Sequence, residues 1–151
     1  MSYADYDFYV NTYHGDVLTA DNAAKWLDRA SDYIDALTFR RTVNTFPVNA
    51  SDVINVKKAV CAVGDALSLI DVQAKTMQAT TNANGDYRGA IASISSGRES
   101  VHYVQGDGGS IYVRAACDLD ARNELLTDVA LQYLADVPDS EGVNLLYAGV
   151  K

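Results

Sequence analysis

Between Ser51 and Ala79 the apolar residues recur in alternating steps of three and four: Val53, Val56, Val60, Val63, Leu67, Ile70, Ala74 and Met77. That spacing keeps one stripe on one face of an α-helix. Ala59, Ala62, Ala66 and Leu69 widen it, so the helix is expected to meet neighbours on two sides and to act as the spine of the fold. Gly64 falls mid-helix, where glycine costs about 1 kcal/mol against alanine. A close approach of another element, or a bend, is expected there.

The same reading gives a first helix over Thr19–Leu37, capped by Thr19 and stapled by Leu18 and Ala23. Its apolar face is Ala23, Trp26, Ala30, Tyr33 and Leu37, flanked by Leu27 and Ile34, with Asp28, Asp32 and Asp35 on the opposite side. Arg40 and Arg41 suit its C-terminal end. Residues 42–49 form a connector with extended backbone before Pro47. A third helix is expected over Asp118–Val137, with a possible start as early as Ile111, and Pro138 ends it. Its apolar face is Leu119, Leu126, Val129, Tyr133 and Val137, with Leu125, Ala130 and Leu134 beside it. Asp120, Glu124 and Asp128 share a face at i, i+4, i+8, where like charges repel by about 0.2–0.5 kcal/mol per pair.

Elsewhere the pattern changes. Residues 80–89, TTNANGDYRG, are turn chemistry. Residues 90–104 alternate with period two around Ser96-Gly97 and predict a β-hairpin. Residues 105–110, QGDGGS, form a linker. The opening residues 1–17 are crowded with Tyr3, Tyr6, Phe8, Tyr9 and Tyr13, either packed over the helices or reaching a neighbouring subunit. The end, 138–151, carries Leu145, Leu146 and Tyr147 on a segment too short to build its own core, which suggests docking, either back onto this subunit or onto a partner. The fold class is therefore mainly α: a small helical bundle around one long central helix, with a β-hairpin insertion and an extended C-terminal tail. The expected organisation is a single domain over 1–151, with an arm at 1–17, a helical core at 18–80, the hairpin at 90–104, a helix at 111–137 and the tail at 138–151.

Composition narrows the function. The chain has 151 residues, 48% of them hydrophobic, and a net charge of −8. So acidic a chain repels nucleic acid rather than gripping its phosphates. Basic residues are scattered, the only runs being Arg40-Arg41 and Lys57-Lys58. Cys61 and Cys117 form no CxxC pair and are expected as reduced thiols in a cytosol. No apolar run reaches the roughly 18 residues of a membrane span, and MSYADYDFYV is acidic where a secretory leader is basic. His14 and His102 lack HxxxH or HExxH company, so no zinc site is expected. Asn82, Asn84 and Asp86 lack the glycine and closing glutamate of a calcium loop. There is no GxSxG, P-loop or dinucleotide fingerprint. No cofactor and no catalytic residue are expected.

Four segments, in order, carry a resemblance. They are YADYDFYVNTYHG followed by RASDYIDALTFRR, then VKKAVCAVGDAL, then ISSGRESVHYV, and finally YLADVPDSEGVNLLYAGVK. Together they resemble the head–tail connector proteins, also called head completion or adaptor proteins, of long-tailed, siphovirus-like bacteriophages. The resemblance implies a virion protein of the neck, assembled in the bacterial cytoplasm. It implies a homo-oligomer, a twelvefold ring beneath the portal protein, with the next tail-side connector or stopper below. DNA passes through on ejection without sequence-specific binding. Acidic stripes would let it slide, which marks Asp28, Asp32, Asp35, Asp120, Glu124 and Asp128 as lumen candidates. The family's C-terminal segment docks on the portal, which carries over to Leu145, Leu146, Tyr147, Gly149 and Val150. Ring closure needs contact between unlike faces, for which Tyr6, Tyr9, Tyr13, Ile91, Ile94, Val101 and Tyr103 are candidates.

Two other classes compete with this one. A small soluble phage regulator that captures a host protein would be present at one or two copies per partner. A hydrolase would use a buried acid pair such as Asp118 and Asp120.

Overall fold

A computed structural model describes residues 1–77 and 110–148 in full, and between them only the backbone of residues 80–81, 87–88, 93–96 and 99–102. The described chain is mainly helical. The α-helices are α1 (Tyr6–Phe8), α2 (Ala23–Leu37), α3 (Arg41–Asn44), α4 (Ala50–Met77), α5 (Ile111–Cys117) and α6 (Leu119–Leu134), with a π-helical turn at Tyr9–Tyr13. None is long and apolar enough to cross a membrane. Short backbone pairings join Thr80–Thr81 to Tyr87–Arg88 and Ser93–Ser96 to Glu99–His102. The turn and outer ends of the expected 90–104 hairpin lie outside the described residues.

Compactness divides the chain into two units, Met1–Ser68 with Glu124–Lys151, and Leu69–Asn123. The first holds most of the described core. The expected spine is present as α4, and within this unit Val56, Ala59, Val60, Cys61, Ala62, Val63, Ala66 and Leu67 are buried. Six consecutive residues, 59–64, are buried, so the middle of the helix is surrounded rather than one-faced. Small side chains at Ala59, Cys61 and Ala62 allow that approach. Gly64 marks one close neighbour: a Cβ there would stand 3.5 Å from Leu27 Cδ2 and 3.6 Å from the Trp26 carbonyl oxygen.

α2 begins four residues later than the expected Thr19. Thr19 still organises the entry: its carbonyl accepts from the N–H of Asn22 and Ala23, and Asn22 Oδ1 accepts from the Thr19 N–H at 2.9 Å. The buried face is Ala23, Trp26, Leu27, Ala30, Ser31 and Ile34, so Tyr33 and Leu37 sit at its edge. The Tyr33 hydroxyl meets Thr127 Oγ1 of α6 at 2.9 Å. The expected connector after α2 contains α3.

The third expected helix is two. α5 ends at Cys117, Asp118 is extended at φ −125°, and α6 starts anew. Asp118 Oδ1 accepts from the Asp120 N–H at 2.9 Å, which caps the new helix. The buried face of α6 is Leu126, Ala130 and Leu134, and Leu119 is 69% exposed. The helix stops at Leu134, short of Pro138. In the second unit, Ile70 and Ala115 are buried, and the exposed Cys117 thiol lies 3.7 Å from Met77 Sδ.

Candidate interaction surface

The N-terminal tyrosines divide between the two readings of the arm. Tyr9 is completely buried, so it offers no surface to a second subunit, contrary to its expected role. Its hydroxyl donates to Asp65 Oδ1 at 2.6 Å and accepts from the N–H groups of Val17 and Leu18 at 2.9 and 3.0 Å. Its ring lies where a Cβ on Gly15 would be, so a side chain at residue 15 would displace that ring. Tyr6 stacks on Tyr9, Tyr9 meets Tyr13 at a tilt, and Tyr13 meets the edge of Tyr133. Tyr13 is half-buried, and Tyr6 keeps about a third of its surface. Ile91 and Tyr103 lie outside the described residues, and only the backbone of Ile94 and Val101 is described.

Asp65 is the acid at the centre of this cluster. Burial pushes its carboxyl up to about 6, although the Tyr9 and Tyr13 hydroxyls oppose the rise. Burial, then Asp65, lifts the Tyr9 phenol to about 12, and burial followed by Asp65 does the same to the Cys61 thiol. Desolvation here disfavours every charged form.

The C-terminal segment folds back onto its own subunit as far as Leu145, where an extended docking tail was expected. Leu145 is fully buried and its N–H donates to the Val137 carbonyl at 2.9 Å. The knot is Asp139, whose side chain has no exposed surface. One oxygen accepts from the N–H groups of Glu141 and Val143, both at 2.9 Å. The other accepts from the Thr45 hydroxyl at 2.9 Å and Arg41 Nη1 at 3.1 Å. Burial alone would raise this carboxyl, but the Val143 N–H, the Thr45 hydroxyl, the Glu141 N–H and Arg41 hold it below the ordinary range. Gly142, at φ +80°, closes the loop. Arg41 Nε also donates to the Tyr147 carbonyl at 3.3 Å. Leu146 is half-buried, Tyr147 is 59% exposed, and Gly149 and Val150 lie outside the described residues.

Of the acidic positions, Asp35 is spoken for: it accepts from the hydroxyls of Tyr3 and Thr42, both at 2.6 Å. It belongs to internal packing, not to a lumen face. Asp28 pairs with the N-terminal ammonium at 3.2 Å. Asp32, Asp120, Glu124 and Asp128 are exposed. Asp118 and Asp120 are also exposed, and the first is a helix cap, so they form no buried acid pair. Among the described residues no three His, Cys, Asp or Glu side chains converge as metal ligands. An open groove of about 610 Å³ runs beside the arm, lined by Asp5, Tyr6, Lys25 and Asp28 among others.

The surface that sequence reasoning missed is the link between α2 and α4. Phe39 is 61% exposed, Val43 47%, Val48 80% and Ile54 39%. α2 ends in a Schellman arrangement: the Arg40 N–H bonds the Asp35 carbonyl at 2.7 Å, and the Phe39 N–H bonds that of Ala36 at 3.2 Å. The residue at the turn is normally glycine. Here Phe39 has φ +51° and Arg40 φ +62°. Left-handed backbone costs an L-residue about 1–2 kcal/mol. The available signal was negative: a helix end with no glycine where its cap requires one. Compared with known protein families, curated proteins and solved structures, the chain matches none.

Proposed function

We propose that this chain is a structural assembly subunit of the head–tail connector type, which joins copies of itself into a ring beneath a phage portal and transforms nothing chemically. The observation that carries the reading is the exposure of Phe39, Val43 and Val48 on the link between α2 and α4, with the exposed Ile54 early in α4. Large exposed apolar residues gathered on one link suit a surface that another protein covers. The end of the described chain lies by it, since Arg41 holds the Tyr147 carbonyl. The ordered resemblance of the four sequence segments supports the same reading.

In this proposal the docking segment shortens to Leu146, Tyr147, Gly149 and Val150, with Leu145 and Asp139 as its internal anchor. The portal sits on one side and the next tail-side protein on the other. One of the two acidic stripes, that of α2 or that of α6, faces passing DNA and repels it.

Quantitative mass spectrometry of purified particles tests this. About a dozen copies per virion, as a closed ring requires, supports the proposal. Absence from particles, or one or two copies, rejects it. A Tyr147→Asp variant should fold as the parent does and lose attachment to heads.

A further inference from the structure

The corner at Phe39 and Arg40 adopts a backbone that glycine would take freely, yet it carries an aromatic ring and a guanidinium. Such strain persists where something is gained from it. Inside the subunit the gain is small, because 61% of Phe39 is exposed. Aromatic and arginine side chains are the commonest interface anchors. Val43 stands one helical turn on, beside the exposed Arg40.

A surface of opposite character lies on α6. Glu124, Asp128 and Leu131 are all exposed and recur at i, i+4, i+7, which places them on one face. None of the ion pairs among the described residues involves Arg40, Glu124 or Asp128. Two copies of a chain with net charge −8 repel each other overall, so local charges of opposite sign favour one contact between copies over others.

We infer that Phe39, Arg40 and Val43 of one copy dock on the Glu124–Asp128–Leu131 face of a second copy, a partner choice that rests on the assembly reading above. The ring of Phe39 lies against Leu131, and Arg40 neutralises the two carboxylates. The contact joins unlike faces, so it propagates from copy to copy instead of stopping at a dimer. It removes the α6 acids from the lumen and leaves Asp28 and Asp32 of α2 to face DNA.

Sedimentation of the full chain over a concentration series, at low and high salt, provides the test. The wild type should self-associate, less so in high salt. Phe39→Gly should raise the melting temperature by a few degrees while weakening association at least about tenfold. Arg40→Glu alone, and Glu124→Arg with Asp128→Arg, should each abolish association. A chain carrying all three reversals should regain it. Wild-type association in Phe39→Gly, failure of the combined reversal to restore it, or a wild type that stays monomeric throughout would overturn the contact. The particle copy number judges the assembly reading independently of these outcomes.

Discussion

Asp65 and Asp139 are both withdrawn from solvent, and their carboxyls move in opposite directions. Asp65 accepts from tyrosine hydroxyls and is placed against the buried middle of α4. Burial dominates, and its carboxyl rises to about 6. Asp139 is covered but shallow. Four donors, one of them a guanidinium, converge on its two oxygens, and its carboxyl falls. The number and charge of donors, not burial alone, decide whether a carboxylate is a strong tie or a weak one. Asp139 fastens residues 138–147 to α3 as an ion. Asp65 fastens the N-terminal arm to α4 most comfortably as a neutral acid.

Removing the stronger tie should have the largest effect. Asp139→Ala strands Arg41, the Thr45 hydroxyl and two N–H groups, and should lower unfolding free energy by about 3 kcal/mol, measured by urea denaturation. Because the Asp139 carboxyl is depressed, its stabilisation is complete above the ordinary carboxylate range and is lost as pH falls through the folded value. The variant's acid unfolding should therefore be shallower than the parent's.

The weaker tie should show a reversed pH dependence. With the folded Asp65 carboxyl raised to about 6, the native state binds the extra proton between its ordinary value and about 6. Its contribution to stability is therefore largest in acid, declines over that window and is flat above it. Asp65→Asn keeps an acceptor for the Tyr9 hydroxyl and should erase the decline, leaving stability at neutral pH equal to the parent's or higher. An unchanged slope between pH 4 and 6.5, on the order of the window that these values define, would contradict this account of Asp65.

The smallest effect is expected at Gly64. A Cβ there would make only ordinary contacts, at 3.5 Å or more. Gly64→Ala should thus stabilise by up to about 1 kcal/mol through helix propensity, visible as a small rise in melting temperature. A loss instead would mean that α2 and α4 sit closer than this.

How much of this was legible in the sequence depended on the range of the interactions. The spine was readable because its three-and-four steps are a local property of consecutive residues. Its burial on all sides was readable only in part, through the alanines beside the stripe. The break at Asp118 was not, because a side-chain cap inside an otherwise helical run has the same composition as helix. The start of α2 was misplaced by a few residues because Thr19 and Asn22 share the entry turn. Both carboxylate clusters were invisible: Tyr9 and Asp65 are 56 positions apart, and Arg41 and Asp139 are 98 apart. A loose C-terminal end was the natural reading of residues 138–151, and only the convergence of distant donors on Asp139 makes it wrong for Leu145.

The left-handed turn at Phe39 bears on how this chain would change under different selection. A library enriched for thermal endurance alone should trade that aromatic for glycine early, since the backbone there already has glycine's shape. Lineages that must build the assembled particle would keep the ring and tolerate a less durable monomer.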